Sequence, residues 1–388
     1  MNEVVLYRKY RPQRFSEVLG QDHVVRILSN AIRLNRVAHA YLFSGPRGTG
    51  KTTVARILAK AVNCANLAGN FEKNSGQIGI RRSEAEADSR GIVCEPCNTC
   101  DACLDISSGQ SLDLVEIDAA SSRGIDEIRA LRDAIRLSPL KNKYKVYVVD
   151  ECHMLTREAF NALLKTLEEP PSHAIFVLAT TEFEKVPETI ASRCQHFEFR
   201  KVSENIIRES LREIAQKENI NIDDEAVGLL AFFADGSLRD GHNLLGQIIS
   251  LPNDKIDAQQ VRLLFGAPSR ELVEGLIQSF IDKDSQSAFS IIKKAVDSGI
   301  DARLFLKFIL RDIRSMLLLA LAPNMEKELK GLLGENEFRF LQAAKDRFKP
   351  EELEFILRTL LDAYTVRPHF YLPQIPLELA VIKIINRR

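Results

Sequence analysis

The sequence predicts an α/β fold built on a parallel sheet, followed by a half that is helical throughout. Two observations carry the first part and one carries the second. Short apolar runs alternate with amphipathic helical stretches as far as Arg200, and runs of that length between helices read as buried strands. A glycine-rich loop stands between the first run and the helix after it. Near Arg200 the strand signals stop, and helical periodicity fills the rest of the chain.

Taken in order, the strands are 40–44 (AYLFS), 114–118 (LVEID), 145–150 (KVYVVD), 174–181 (AIFVLATT) and 195–199 (QHFEF), all five expected to be buried. Between them lie helices such as 156–168 (TREAFNALLKTLE), opened by a Thr cap and stopped by Pro170 and Pro171. Proline cannot continue a helix, and it biases the residue before it away from one. Parallel strands need crossover connections, so the alternation argues for a parallel sheet covered on both faces. After Arg200 come an amphipathic helix at 203–218 and a second at 223–234, ended by Asp235 and Gly236. Ser237 then caps a third, with Leu238, Arg239 and Asp240 in its first turn; a side-chain oxygen at that position satisfies a free backbone N–H. Polar breaks at 252–257 and 266–269 bracket a short helix. The divisions expected are therefore 1–203, 204–266 and 267–388.

Composition excludes several classes. With 388 residues, 45% hydrophobic and 27% charged, the chain falls among globular proteins and not with disordered chains, collagens or coiled-coil rods;. The 53 basic and 53 acidic residues cancel, which excludes a histone-like polycation. Residues 1–60 nevertheless hold 11 Lys/Arg against three acids, Glu3, Glu17 and Asp22. A positive surface there suits phosphate-bearing ligands, although any one of these residues is as readily a solvated helix face. No apolar run is long enough to span a bilayer, and the start lacks the apolar stretch of a signal peptide, so a cytoplasmic address without membrane partners is expected;.

The loop Gly45-Pro46-Arg47-Gly48-Thr49-Gly50-Lys51-Thr52, followed by Thr53, fits G-x-x-x-x-G-K-[ST] and lies after a strand and before a helix. Its glycines let backbone N–H groups curl round a phosphate, and the helix N-terminus adds its dipole. Lys51 is expected at the β/γ-phosphates and the Thr52 hydroxyl on Mg²⁺. The run VYVVDE ends a buried strand in two acids, a costly arrangement unless they serve a site;. Asp150 is expected to help hold Mg²⁺, and Glu151 to polarise the attacking water. Surface acids at a strand end are the plain alternative. Thr180 and Thr181 close the next strand, at the edge that faces a nucleotide crevice in such sheets. A hydroxyl there, Thr180 being the one chosen, is placed to sense the γ-phosphate, though Thr is also common in strands. His153, beside the acids, reads as a structural histidine.

Cysteines complete the inventory. Cys94, Cys97, Cys100 and Cys103 recur at a spacing of three, and Cys64 ends the helix after the glycine-rich loop. Thiolates this dense favour a soft metal, and tetrahedral zinc is the usual answer. Five cysteines compete for four places, and redox chemistry or an iron–sulfur cluster is the competing use. Cys152 reads as a free buried thiol.

Several stretches together resemble one family. They are Tyr7-Arg8-Lys9-Tyr10-Arg11-Pro12 with Phe15 and Val18–Gly20, GPRGTGKTT, VVDECHMLTREAFNALLKTLEEPP, ATTEFEKVPETIASRCQHFEF and GSLRD. The chain resembles the γ/τ subunits of bacterial DNA polymerase III, strongly from residue 3 to about 250 and more weakly through the C-terminal helices. The resemblance implies an AAA+ ATPase domain carrying a zinc module at about 64–103, a helical lid and an all-α collar. It implies ATP, Mg²⁺ and Zn²⁺ as cofactors, and work as the ATPase motor that loads a sliding clamp onto primed DNA. Arg193 in Ser192-Arg193-Cys194 looks like the arginine supplied to ATP on a neighbouring subunit, and Arg239 like the sensor arginine acting in cis. Tyr7, Arg11, Pro12, Val18 and Leu19 resemble the segment that packs on adenine. The family's module selects Cys64, Cys97, Cys100 and Cys103 for zinc and leaves Cys94 spare.

Partners implied by the resemblance are the other loader subunits, held through the collar, the sliding clamp, and primer–template DNA met without sequence preference. A longer form of the family would also meet the polymerase III core. The apolar faces at 272–296 and 355–385 have surface enough for helix association;. Arg123, Arg129 and Arg132 in 121–136 are candidate DNA contacts, and 67–93 reads as a polar surface insert. Two rivals are another DNA-remodelling AAA+ motor and a scaffold subunit of the same loader that does not hydrolyse ATP. Intact Lys51, Thr52, Asp150 and Glu151 argue against the scaffold.

Overall fold

A computed structural model describes residues 5–67, 94–121, 135, 137–250, 255–366 and 372–386. The insert 68–93 and the arginines Arg123, Arg129 and Arg132 lie outside the described residues. The chain divides into two compact units, Met1–Ile207 with Ala234–Leu244, and Arg208–Phe233 with Leu245–Arg388.

In the first unit, β1 (Ala40–Ser44), β2 (Leu114–Asp118), β3 (Lys145–Asp150), β4 (Ala174–Thr180) and β5 (Gln195–Glu198) make one sheet in the order β2-β3-β4-β1-β5, every pair parallel. Among the described residues, the α-helices lying wholly within this unit are α1 (Leu6–Lys9), α2 (Asp22–Arg33), α3 (Lys51–Asn63), α4 (Asp101–Ser108), α5 (Arg157–Glu168) and α6 (Glu188–Ala191). Side chains alternate across a strand, and two core clusters follow. Tyr41, Phe43, Val146 and Val148 pack with Val24 and Leu28 of α2 and with Val54 and Leu58 of α3. Ala40, Leu42, Tyr147 and Val149 pack with Ala159, Phe160 and Leu163 of α5. The expectation of five buried strands needs correction at both edges. In β2, Glu116 and Asp118 are exposed, and β5 buries only Phe197, because a strand with one neighbour is covered on one side only.

Local chemistry sets the helix ends. The Thr156 hydroxyl accepts the Ala159 N–H at 3.2 Å and caps α5, as the sequence predicts. Across and beyond the first unit run α7 (Glu204–Lys217), α8 (Asp224–Ala234), α9 (Leu238–Ile249), α10 (Ala258–Leu264), α11 (Arg270–Asp282), α12 (Ser285–Asp297), α13 (Ala302–Leu321), α14 (Glu326–Leu332), α15 (Glu335–Lys345), α16 (Pro350–Thr365) and α17 (Ile375–Ile385). The second unit is helical among its described residues, apart from one parallel bridge between Ile222 and Ile256. There α13 packs on α15 and α16. Among the described residues no helix is long and apolar enough to cross a membrane.

Candidate functional site

The glycine-rich loop leaves the end of β1 and enters α3, and two of its glycines, Gly45 and Gly48, are there for space. At Gly45, with φ 135°, an added Cβ would lie 2.1 Å from the Phe199 carbonyl oxygen. At Gly48, with φ 74°, it would lie 1.9 Å from Ser237 Oγ. Either contact would force the loop out of shape, and both backbones favour glycine besides. Thr49 Oγ1 donates to Pro46 O at 2.8 Å, while Pro46 and Arg47 themselves are exposed. Gly50 and Thr53 flank the first helical residues of α3. Lys51 is buried, and its Nζ donates to Gly45 O at 2.7 Å and Pro46 O at 2.9 Å. Burial pushes its pKa down, against the pull of Glu151 and Asp150.

Beside the loop, Thr52 Oγ1 donates to Asp150 Oδ2 at 2.8 Å. Glu151 follows in the left-handed region (φ 48°), and its N–H donates to Asp150 Oδ1 at 2.9 Å. Non-glycine residues with such backbones are costly and gather at functional sites. The Glu151 carboxylate accepts from Thr181, from the N–H at 3.2 Å and from Oγ1 at 2.9 Å. Thr180, the hydroxyl expected to sense the γ-phosphate, is fully buried, accepts the Glu182 N–H at 3.0 Å, and sits 3.0 Å from His153 Nδ1. β4 ends at Thr180, so the chain turns between the two threonines and sends them to different partners. His153 in turn lies 3.5 Å from Glu151 Oε2 and 3.3 Å from Glu182 Oε1, which the structural reading of this residue did not anticipate.

Arg239 comes to the same place from α9. Its guanidinium carbon lies 4.8 Å above the centroid of the Tyr7 ring, and its Cβ borders Gly48. Arg11 is half-buried, and desolvation, with Arg56 nearby, holds its pKa below the usual value. Pro12 and Leu19 are half-buried, whereas Val18 belongs to the core with Phe15. Arg193 is not drawn into this group among the described residues. Its Nη2 pairs with Glu168 Oε1 at 2.7 Å, its Nη1 donates to Thr189 O at 2.7 Å, and the side chain is 35% exposed.

Cysteines from two segments make a second site. The sulfurs of Cys64, Cys97, Cys100 and Cys103 all lie within 4.8 Å of one another. Four thiolates at about 2.3 Å from zinc would stand about 3.8 Å apart, and Cys97 and Cys103 are already at 4.0 Å. Backbone N–H groups support the sulfurs: that of Cys97 donates to Cys64 Sγ at 3.4 Å, and those of Thr99 and Cys100 to Cys97 Sγ at 3.4 and 3.3 Å. Burial works to raise the Cys97 thiol, but these hydrogen bonds outweigh it and bring it down to about 6. The donor set and its spacing therefore fit a tetrahedral thiophilic ion. Cys94 stays outside, buried in the core with its N–H on Ser29 Oγ at 3.1 Å. Cys152 is buried and pushed up by burial.

Sequence reasoning passed over Lys60, which is 2% exposed. A lysine inside the apolar run ILAKAV was the available signal, since a buried ammonium must find acceptors.

Three family models match consecutive stretches: the DNA polymerase III delta subunit over 20–203, the ATPase lid domain of the DNA polymerase III clamp loader subunit over 206–254, and domain III of DNA polymerase III subunits gamma and tau over 256–387. The tau subunit of Bacillus subtilis is 39% identical over 384 residues, 99% of this chain and 63% of that protein. The gamma subunit of Buchnera aphidicola from Acyrthosiphon pisum is 40% identical over 301 residues, 78% of this chain and 77% of that protein. This chain thus spans less than two thirds of the Bacillus tau subunit and about three quarters of the Buchnera gamma subunit. The Thermotoga maritima RuvB Holliday junction branch migration motor overlays with a TM-score of 0.45 at 16% identity, over 70% of this chain and 79% of that one, a likeness too loose to build on. With a relative matched at 40% identity over most of both chains, and three models of polymerase III subunits in register along the sequence, this chain belongs to the gamma/tau family of DNA polymerase III subunits.

Proposed function

We propose that the chain is an ATP-hydrolysing motor subunit of a clamp loader, which opens a sliding clamp and loads it onto primed DNA. The observation that carries this is the meeting of Thr52, Asp150, Glu151 and Thr181 beside a phosphate loop, in a chain of this family. Backbone N–H groups of 45–52 cradle the phosphates of ATP, and Lys51 exchanges its two carbonyls for the β/γ-phosphate oxygens. Thr52 and Asp150 hold Mg²⁺, which neutralises charge on those oxygens. Glu151 takes the proton of the attacking water, with Thr181 fixing its carboxylate and Thr180 holding His153 behind it. Arg239 serves the nucleotide in cis, with Tyr7, Arg11, Pro12, Val18 and Leu19 along the base. Arg193, half-buried and paired with Glu168 here, is offered to ATP on a neighbouring subunit, where a guanidinium stabilises charge on the transferring phosphoryl group.

In the same reading, Cys64, Cys97, Cys100 and Cys103 hold zinc, which cross-links two distant segments of the ATPase domain. Residues 1–203 are that domain, 204–266 the lid and 267–388 the collar that joins the other loader subunits. DNA is met through its phosphates and shape, so binding is salt-sensitive and tolerant of sequence. The test is ATP turnover with clamp, primed DNA and partner subunits, for this chain and for Arg193→Ala. Turnover that rises with clamp and DNA and collapses in the variant, while ATP still binds, is expected. Absent turnover with all partners would make the chain a scaffold. High turnover without partners, indifferent to Arg193, would remove the assembly from the proposal.

A further inference from the structure

We infer that the four-cysteine site governs how tightly the base of ATP is held, through a relay of Asn98, Lys60, Gln13 and Glu95 that seats the segment between Arg11 and Val18. The inference rests on the reading that this segment and Tyr7 contact the adenine.

Helix α3 connects the two sites along its length. It starts at Lys51 of the phosphate loop and ends at Asn63, with Cys64 next in the chain. Between Cys97 and Cys100, Asn98 takes a left-handed backbone (φ 58°) that turns the chain around the sulfurs. Its Oδ1 accepts from Lys60 Nζ at 2.8 Å. The same ammonium donates to Gln13 O and Gln13 Oε1, both at 2.8 Å. An ammonium can only donate, so the oxygen of the Gln13 amide faces it and the NH₂ faces away. That NH₂ donates to Arg11 O at 3.0 Å. A second strut runs in parallel: the Glu95 carboxylate accepts the N–H of Phe15 at 2.8 Å and of Ser16 at 2.7 Å. Beyond these struts Phe15 and Val18 enter the core at 0% and 3% exposure.

Part of what fixes the loop after Arg11 therefore comes from the cysteine-bearing segment and from α3, alongside its own Glu17, which accepts the Gln13 and Arg14 N–H groups. Residues 94–100 have no helix or strand of their own to hold them, so Asn98 is held by the sulfur cross-link on either side of it. Glu95 is held by that cross-link on one side and by Cys94, in the core and on Ser29, on the other. With that link gone, Lys60 loses an acceptor and Glu95 keeps only its Cys94 anchor, which loosens its hold on the Phe15 and Ser16 N–H groups. A buried donor left unpaired is costly, and the segment then spends part of its time unseated. Apparent affinity falls by the seated fraction. Gly45 and Gly48 of the phosphate loop are packed against Phe199 and Ser237, and none of the bonds of the relay involves that loop.

The experiment uses the whole chain with Mg²⁺ and compares calorimetric binding of ATP with that of inorganic tripolyphosphate, which has no base. Chains are measured with zinc bound and after chelation, for wild type, Lys60→Met and Glu95→Ala, with zinc content and circular dichroism recorded for each. Stripping zinc from the wild type should weaken ATP about tenfold and leave tripolyphosphate unchanged. Either variant, zinc retained, should show part of that weakening, and in Lys60→Met further zinc loss should cost less than it does in the wild type, because the Asn98–Lys60 strut is already gone. Glu95→Ala leaves α3 intact, so it answers the question even where Lys60→Met sheds zinc or unfolds. Unchanged ATP affinity in zinc-bound Glu95→Ala would overturn the relay, as would equal losses for ATP and tripolyphosphate. A wild type that binds both ligands equally would instead overturn the adenine reading, and the relay with it.

Discussion

Each compact unit holds a pair of well-covered cations, and the two pairs meet acceptors of different charge. In the first, Lys51 rests on two backbone carbonyls and Lys60 on the oxygens of Gln13 and Asn98. In the second, Arg270 meets Asp312 at 2.7 Å, Glu337 at 2.8 Å and Glu274 at 2.7 Å, and Arg311 meets the same Asp312 and Glu337. Neutral acceptors satisfy an ammonium's hydrogen bonds and leave its charge in place, so a phosphate can still draw it away. Carboxylates cancel the charge and fix the geometry as well. Burial alone would rank them the other way, since Lys51 is 6% exposed and the Arg270 side chain 19%. Neutral acceptors do not by themselves mark a cation kept for a ligand, since Lys60 and, in the second unit, Arg208 on the carbonyls of Gly331 and Leu332 also rest on neutral oxygens. What sets Lys51 apart is the phosphate loop around it.

Breaking the first side of that contrast should have the largest effect. Lys51→Met is expected to cut ATP turnover on the order of 10²–10³-fold, with a melting temperature close to that of the parent. A melting temperature that collapses would make Lys51 a structural cation. On the second side, Asp312→Ala removes a fully buried carboxylate from between two arginines. It should destabilise the fold by about 3–5 kcal/mol, read from urea unfolding, while ATP binding to the folded fraction stays as it was. A loss below about 1 kcal/mol, the level of exposed pairs, would show that the network adds little.

A buried group kept neutral sharpens the contrast further. Burial pushes the His242 imidazole down to about 4 from 6.5. The unfolded chain therefore takes up a proton between those values that the folded chain refuses. Stability is complete above pH 6.5 and drains as pH falls toward 4, by at most about 3 kcal/mol. Unfolding free energies at a series of pH values should slope upward through that window, and His242→Phe should flatten part of the slope; an unaltered slope would assign it to other groups. The smallest effect belongs to a site with no buried charge. Thr156→Ala loses the cap of α5 and should cost about 1 kcal/mol without altering turnover; a change in turnover would tie that helix to the chemistry through Glu168 and Arg193.

Much of the first unit is readable in the sequence because its cues are local. The bounds of β1, the loop after it, and the Thr156 cap each follow from a few adjacent residues. Other features follow from assembly. Leu114–Asp118 carries a strand pattern, but only the sheet order makes it an edge with Glu116 exposed and bonded to Arg56. Thr180 and Thr181 are equivalent as letters. The end of β4 between them decides that one faces His153 and the other Glu151.

The sequence by itself determined the phosphate loop, the paired acids, the run of cysteines and the change from strands to helices, because each is a pattern of neighbours along the chain. Only the fold sets Cys64 rather than Cys94 with Cys97, Cys100 and Cys103. Tertiary structure decided that Arg239 lies over Tyr7, that Thr181 holds Glu151, and that Lys60 links Asn98 to Gln13. Those meetings join residues remote in sequence, and they form only where close packing leaves each polar group one set of partners within reach.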